Sequence, residues 1–397
     1  MSHGMLAKLV WDGGPVHVPV EMGTPAPDQL QGTDGEQLSE LAGRICYDSL
    51  GAAGARPSFS TADKQGYHEH IRRVGHGSVY EHHHFTVELH FERGPLGQAL
   101  QALLTLLCAN RPGLFLRSSP SQGYLRLTLN PRVLIDWQHW GSTRTIDLPD
   151  RRYLAAERDL LWYLKLAANH HLPHVFPRDS DQRHTLDDLG LLSWRLAEPE
   201  TDDERWVALY IAGSRGMSHE LVRHGDFTAI SQRSTRFVDE CDSLWVEHPL
   251  VTQYCRSLAA QLRPEDLDYV RRQIQVTMAA SQGLYRELVP RLQAWLKERG
   301  TDALGARKQA RGAARGYLGN ALGTELIFSA SVAQWRWMLQ QRGSVFADAE
   351  IREVFASEQD CVLSALQTSR YAASFQNFTL QPSPDGLGQV AQETSPA

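Results

Sequence analysis

The chain has 397 residues, 42% hydrophobic and 22% charged, with 40 Lys and Arg against 46 Asp and Glu for a net charge of −6. That balance excludes a disordered or fibrous chain and gives no overall attraction to nucleic acid or an anionic membrane, so any anion must be held by a local cluster. Five scattered cysteines without a Cys-x-x-Cys pair argue against a disulfide scaffold or a thiolate metal site. There is no signal-type N-terminus and no run of about 18 apolar residues, so the expectation is a soluble cytoplasmic protein whose partners include neither nucleic acid nor membrane.

In chain order, residues 1–35 read as an irregular lead-in, rich in Gly, Pro and Asp from residue 12 onward. Leu38, Leu41, Ala42 and Ile45 recur at helical spacing within 36–50, and a second amphipathic helix is predicted over 62–74. A Gly75-His76-Gly77-Ser78 turn leads to alternating Phe85, Val87, Leu89 and Phe91, a half-buried strand. After an apolar helix over 96–109 regularity fades, and 93–204 is read as an inserted subdomain. An apolar strand over 206–212 runs into a helix carrying Arg215, His219, Glu220, Arg223 and His224. Long helices over 264–299, a helix over 303–318, a strand over 325–331 and helices over 332–341 and 348–367 follow, and 380–397 read as a disordered tail. One faint internal echo is present: Thr128 to Trp137 and Ser329 to Trp337 look like two versions of a strand-to-helix turn, with chance resemblance the default reading.

Three clusters carry chemistry. The first holds His68, His70, His76 and His82 to His84, six imidazoles in 17 positions. Successive residues on a strand point to opposite faces, and no His-x-x-x-His pair with a general-base Glu occurs, so no metal is expected. The second is the 214–237 segment, where Arg215, His219 and Arg223 fall four apart on one helix face and Ser231, Gln232, Arg233, Ser234 and Arg236 follow. A solvated, ion-paired face is the common reading of such a run; forked guanidinium groups beside short polar donors also suit a phosphate and a polar base. The third spans Arg315, Arg336, Arg342 and Arg352, which alone identify no activity.

Taken in order, Gly-His-Gly-Ser-Val-x-Glu-His-x-x-Phe-Thr at 75–86, Ser-Arg-x-x-Ser-His-Glu-Leu-Val-Arg-His at 214–224, Ser231-Gln232-x-Ser234-x-Arg236, Ala-Arg-x-x-Leu at 314–318, Gln-Trp-Arg at 334–336, Arg342 and Glu-Ile-Arg at 350–352 resemble the flavin-dependent thymidylate synthases. The resemblance covers roughly 36–92 and 205–365. It implies an α+β fold with a central mixed or antiparallel sheet packed with long helices, a catalytic domain of 36–92 and 205–370, and a homotetramer with sites at subunit interfaces. It implies reductive C5 methylation of dUMP to dTMP with methylene-tetrahydrofolate, bound FAD and NADPH. By position, Arg215, Glu220, Gln232, Ser234, Arg236, Arg315 and Arg342 match the dUMP set, and His76, Ser78, Glu81, Arg223 and His224 match residues lining FAD. Arg342, His76 and Ser234 are the implied catalytic set, with Arg342 against the uracil ring and Ser234 not a covalent nucleophile, since the flavin carries the hard chemistry.

The departures are specific. The family's Arg-His-Arg is Arg223-His224-Gly225 here, its Asn-x-Arg is Ser331-Val332-Ala333, and its His four positions on is Trp337. The nucleotide-binding residues persist while part of the flavin set is lost, and Asn130 and Arg132 of the echo motif are candidates to replace it. Two alternatives stay open: flavin-dependent C5 modification of another pyrimidine nucleotide, by UMP methylation or dUMP hydroxymethylation, and a non-catalytic nucleotide-binding homologue.

Overall fold

Regular structure begins earlier than the opening composition suggests. In a computed structural model, which describes residues 5–22, 32–47, 61–91, 101–102, 104–105, 114–119, 123–140, 151–177, 191–225 and 228–393, Leu6–Trp11 form a strand, β1. The expected irregular lead-in over 1–35 is corrected there. Leu6 and Val10 face one core while Ala7 and Leu9 face another, the period-two alternation that makes a short segment a strand.

Helix α1 spans Asp34–Tyr47 and buries Leu38, Leu41, Ala42 and Ile45, the stripe its spacing requires. Thr61–Arg73 form α2, and the turn after it leads into β2, Phe85–Phe91. Of the helix expected over 96–109, residues 101–102 and 104–105 are helical and the rest lie outside the described residues. Next come β3 (Leu114–Ser119), β4 (Tyr124–Leu129), α3 (Pro131–Trp140), α4 (Arg151–Asn169) and β5 (Leu191–Ala197). The second half holds β6 (Trp206–Ser214), α5 (Arg215–Leu221), β7 (Thr228–Gln232), α6 (Pro249–Ala260), α7 (Pro264–Glu298), α8 (Ala303–Ala314), β8 (Gly323–Ser331), α9 (Val332–Arg342), α10 (Ala349–Ala356), α11 (Val362–Gln367), β9 (Phe378–Gln381) and β10 (Gln389–Gln392).

The class is α+β with antiparallel pairing, but instead of one central sheet the described strands form two sheets of four, ordered β1-β6-β8-β7 and β3-β4-β2-β5, and a β9-β10 hairpin. The 93–204 segment does not stand apart as a subdomain: its β4 and β5 flank β2 on either side. The two sheets are wired alike. β2, β3 and β4 occupy in one the places of β6, β7 and β8 in the other, and β5 and β1 take the same flank. Each third strand runs straight into a helix capped by its own turn residue: Asn130 Oδ1 accepts Val133 N–H at 3.1 Å, and Ser331 Oγ accepts Gln334 N–H at 3.1 Å. The sequence echo is thus one structural device used twice.

β6 is buried along all nine residues because both its faces are covered. Trp206, Ala208, Tyr210 and Ala212 join the core shared with α1 and the second sheet, and Val207, Leu209 and Ile211 join the core under α5, α9, α10 and α11.

Two further expectations are corrected. The helix over 348–367 is broken: Asp360 has φ 54, its carbonyl accepts Ala7 N–H, and a reciprocal Cys361–Ser364 box restarts the chain as α11. The tail is ordered through residue 393, because Phe378 and Val390 pack into the core beside α10 and Val390 N–H bonds Gly343 O at 2.8 Å.

The second sheet is pinned by a buried ion network. Arg126, 1% exposed, reaches Glu88 at 2.9 Å and Glu204 at 3.0 Å, and also donates to Glu198 O at 2.6 Å. Burial raises both carboxyl pKa values, and bonds from Arg195, His90 and Arg126 at Glu88, and from Arg126 and the Glu200 amide at Glu204, outweigh it and hold them below 4.5. Arg126→Leu removes the guanidinium that the two buried carboxylates share, leaving Glu88 to Arg195 and Glu204 to Arg117, and should lower unfolding free energy by roughly 1.5–3 kcal/mol in urea titrations at pH 7. Because the folded pKa values are depressed, the wild-type contribution is complete above about pH 4.5 and fades as pH falls through them. Equal midpoints for the two proteins at pH 7 would show that the network is not stabilising.

Candidate functional site

The turn between α2 and β2 is built around glycines. Gly75 has φ +69, which strains any other residue there, and the position where Gly77 would carry a Cβ is filled by the guanidinium of Arg132, which a side chain would displace. His76 Nδ1 lies 3.2 Å from the Tyr47 hydroxyl. Burial, then the positive charges of Arg132, Arg236 and Lys308, push its pKa down. Burial pushes the Glu81 carboxyl up to about 7, opposed by Arg132 at 4.0 Å. Ser78 lies half-buried in the same turn. His82 is fully buried, its Nε2 2.9 Å from Ser231 Oγ and its Nδ1 2.8 Å from Ser329 Oγ, which ties the turn to β7 and β8.

Against this turn stand the residues of the second motif. Ser214 caps α5 through Met217 N–H, fixing Arg215 at the helix start. Arg215 Nη1 donates to Arg233 O at 3.2 Å and Thr324 Oγ1 at 3.3 Å. Gln232 Nε2 donates to Ser218 Oγ at 2.7 Å and Thr324 Oγ1 at 3.1 Å. Arg315 donates to Thr235 Oγ1 at 3.1 Å, and Ser234 N–H to Cys46 O at 3.0 Å. Arg236 is exposed. Burial, with Arg315 and Arg233 nearby, lowers the Arg215 pKa against the opposing pull of Glu240. Guanidinium groups satisfied only by hydroxyl and carbonyl oxygens keep their charge available to an anion.

The structure does not gather every expected residue at that point. Arg342, on the last turn of α9, donates to Glu220 Oε2 at 2.8 Å and to His224 Nε2 at 2.8 Å, and Arg223 pairs with Glu220 Oε1 at 3.0 Å. Trp337 stands edge-on to His224 at 5.2 Å. Burial and the Arg342 charge push His224 to about 4, and its Nδ1 has no partner. Glu220 lies five residues beyond Arg215, about 140° further round the helix. Two groups result: Arg215, Gln232, Ser234, Arg236 and Arg315 with His76, Ser78 and Glu81; and Glu220, Arg223, His224 and Arg342. Of the expected catalytic set, His76 and Ser234 bracket Cys46 and Tyr47, while Arg342 belongs to the second group.

Sequence reasoning missed Tyr47, Thr235 and Lys308. Tyr47 ends an ordinary amphipathic helix, and only packing brings it to His76. Among the described residues one donor group, His248, Asp348 and Glu350, lies within 4.8 Å. His248 Nδ1 and Asp348 Oδ1 already accept the N–H groups of Leu250 and Glu350 as helix caps.

Buried neutral imidazoles set an acid limit. Burial holds His82 at about 3, His171 and His224 at about 4, and His83 and His84 well below 6.5. Between these values and 6.5 the unfolded chain binds more protons, so stability must fall as pH drops below 6.5, by up to about 1.4 kcal/mol per pH unit for each ring. Urea unfolding at pH 7 and 5.5 should show a loss of several kcal/mol, and a flat profile would mean that folding does not suppress their protonation.

Residues 30–102 and 207–363 match the family described as thymidylate synthase complementing protein. The flavin-dependent thymidylate synthase of Mycolicibacterium gilvum is 38% identical over 149 residues, 37% of this chain and 54% of that protein, and the one of Mycobacterium marinum is 37% identical over the same shares. The matched segment therefore spans about half the length of these relatives. A crystal structure of thymidylate synthase X from Helicobacter pylori with FAD and dUMP is similar at 16% identity and a TM-score of 0.26, covering 44% of this chain and 74% of that one. With the family match extending over more than half of its 397 residues, the chain belongs to the thymidylate synthase complementing protein family.

Proposed function

We propose that this protein is a flavin-dependent thymidylate synthase, a methyltransferase of nucleotide biosynthesis that methylates C5 of dUMP reductively with methylene-tetrahydrofolate, FAD and NADPH. The observation that carries this reading is the arginine cluster: Arg215 and Arg315 hold only hydroxyl and carbonyl oxygens, with Arg236 exposed beside them. Such a set suits the doubly charged phosphate of a nucleotide, and Gln232 and Ser234 supply polar contacts for sugar and base. Arg342 is a fixed cation able to stabilise an enolate developing on the uracil ring once Glu220 shares it with the substrate. Glu81, poised near neutrality, can hold or release a proton beside His76. As part of the same reading, the cytoplasmic working unit is a homotetramer in which a neighbouring copy brings its Glu220–Arg342 group to the arginine cluster.

The residues present also fit FAD. Positive charge from Arg132, Arg236 and Lys308 converges on His76, and Gly77 leaves the turn without a side chain. Reduced FAD, when bound, supplies the hydride; the chain's part is to orient it through His76, Ser78, Glu81, Arg223 and His224. Gly225 has φ 72, a conformation that favours glycine, so the lost flavin-side cation there goes with the local backbone. Asn130 and Arg132, on the turn equivalent to Ser331–Ala333, replace the other lost contacts. A second reading, nucleotide binding without turnover, is favoured only by Gly225, Ser331, Ala333 and Trp337.

Arg236→Ala should weaken dUMP binding by roughly 1.5–3 kcal/mol, about 10- to 150-fold, in calorimetric titration; an unchanged dissociation constant would remove Arg236 from the phosphate site. The purified protein should show oxidised-flavin absorption, or acquire it with added FAD, and bleach on anaerobic NADPH addition, faster with dUMP present. Asn130→Ala with Arg132→Ala should weaken FAD affinity about tenfold or more while dUMP affinity holds. A colourless protein that takes up no FAD yet binds dUMP would establish the second reading.

A further inference from the structure

The hydrogen bonds behind the arginine cluster close into a ring. Arg215 Nη1 and Gln232 Nε2 both reach Thr324 Oγ1, at 3.3 and 3.1 Å, Gln232 Nε2 also reaches Ser218 Oγ at 2.7 Å, and Ser218 Oγ returns to the Arg215 carbonyl at 2.9 Å. Ser218 on α5 is 1% exposed and Thr324 on β8 is 3% exposed, so neither touches a ligand itself. What they fix is the side chain between them.

The ring settles which way the Gln232 carboxamide points. A hydroxyl has one hydrogen, and that of Ser218 is committed to the Arg215 carbonyl, so toward Gln232 it can only accept. The atom facing it is therefore the NH₂ end. Thr324 Oγ1 takes the second hydrogen of that NH₂ while accepting from a guanidinium, which can only donate. With both amide hydrogens held inside the protein, Oε1 is the part of the group left over. Among the described residues it has no hydrogen-bond partner, and on a half-buried side chain it is not sealed from solvent.

An outward acceptor selects for a donor. Besides its phosphate, dUMP carries two, the 3′-hydroxyl of the sugar and the N3–H of the base, and the hydroxyl is the nearer to the phosphate. Carboxamide and guanidinium bond the same Thr324 oxygen, so a phosphate held by Arg215 brings the sugar alongside Gln232.

We propose that Ser218 and Thr324 are positioning residues that hold Gln232 with Oε1 outward to accept the 3′-hydroxyl of the nucleotide. This assignment rests on the reading of the arginine cluster as the phosphate site. The site thereby takes free mononucleotides and turns away those esterified at the 3′-oxygen, as within a nucleic-acid strand, because an ester oxygen has no hydrogen to donate.

The test compares, by calorimetry on the full chain, dUMP with its 3′-deoxy and 3′-fluoro analogues. In the wild type, loss of the 3′-hydroxyl should weaken binding about tenfold, and fluorine, which cannot donate and is repelled by Oε1, should weaken it further. In Ser218→Ala the carboxamide can turn its NH₂ outward, since Thr324 can also donate to Oε1, and the two analogues should bind within about twofold of each other. Thr324→Val frees the group to move and should cut the advantage of the 3′-hydroxyl below about threefold, whereas Thr324→Ser keeps it. A purely structural role would weaken all three ligands alike. A wild-type crystal with dUMP should place the 3′-oxygen within about 3.2 Å of Gln232 Oε1, a readout that stands even if a variant fails to fold. Equal wild-type affinity for dUMP and its 3′-deoxy analogue, an unchanged fluorine penalty in Ser218→Ala, or a loss on N3-methylation of the base with none at the 3′ position would overturn this assignment alone. No binding of dUMP at all would overturn the phosphate site together with it.

Discussion

The joint on which both sheets depend is one uncharged imidazole. His82 bridges Ser231 on β7 and Ser329 on β8 from the turn that precedes β2, so a ring from the first half of the chain is held by two hydroxyls of the second. A hydroxyl can donate or accept, which lets either neutral tautomer be satisfied on both nitrogens. The candidate site leans on that bridge: His76 to Glu81 lie just before it on the arginine side, and His83 and His84 just after it pack against Trp11 and Trp206. Burial without charge is the condition for the arrangement, and it is why a protein with so many histidines loses stability on the acid side of 6.5.

Two sheets with the same wiring separate what the fold needs from what a site needs. The strand-to-helix turn requires a short oxygen at the cap, and Asn130 and Ser331 meet that need equally well. The residue two positions on has no part in capping: Arg132 bonds Asp136 at 2.7 Å and lies over Gly77, whereas Ala333 simply continues α9. A large cationic side chain was therefore free to vary between the two copies at no cost to the helix. Gly225 shows the converse case, in which the backbone excludes any residue that dislikes positive φ.

What was legible in the sequence was local. The apolar stripe of α1, the alternation of β2 and the crowded motif at 214–236 announce themselves because spacing within a dozen residues decides them. β1 escaped because its alternation is six residues long and sits beside Gly- and Pro-rich chain. The terminal hairpin escaped because two buried side chains, Phe378 and Val390, suffice to order it. Asp360 breaks a helix for a tertiary reason, the β1 amide that its carbonyl accepts. The same division runs through the site. Arg215, Gln232, Ser234 and Arg236 could be read together, whereas the pairing of Arg342 with Glu220 joins residues 122 apart and is set by how α9 packs against α5.

Charge is distributed unevenly in a way that the net value of −6 conceals. Most buried or half-buried arginines have a carboxylate: Arg126 has Glu88 and Glu204, Arg311 has Asp239, Arg342 has Glu220, and Arg352 has Asp385. Half-buried Arg215 instead rests on Thr324 Oγ1 and a main-chain carbonyl, and exposed Arg315 on Thr235 Oγ1, although the chain carries six more acids than bases. Burial, then repulsion from Arg315 and Arg233, lowers the Arg215 pKa, and a doubly charged anion would offset both by bonding several guanidinium groups at once. That charge, held without a carboxylate bond, lies where the nucleotide phosphate is proposed to bind.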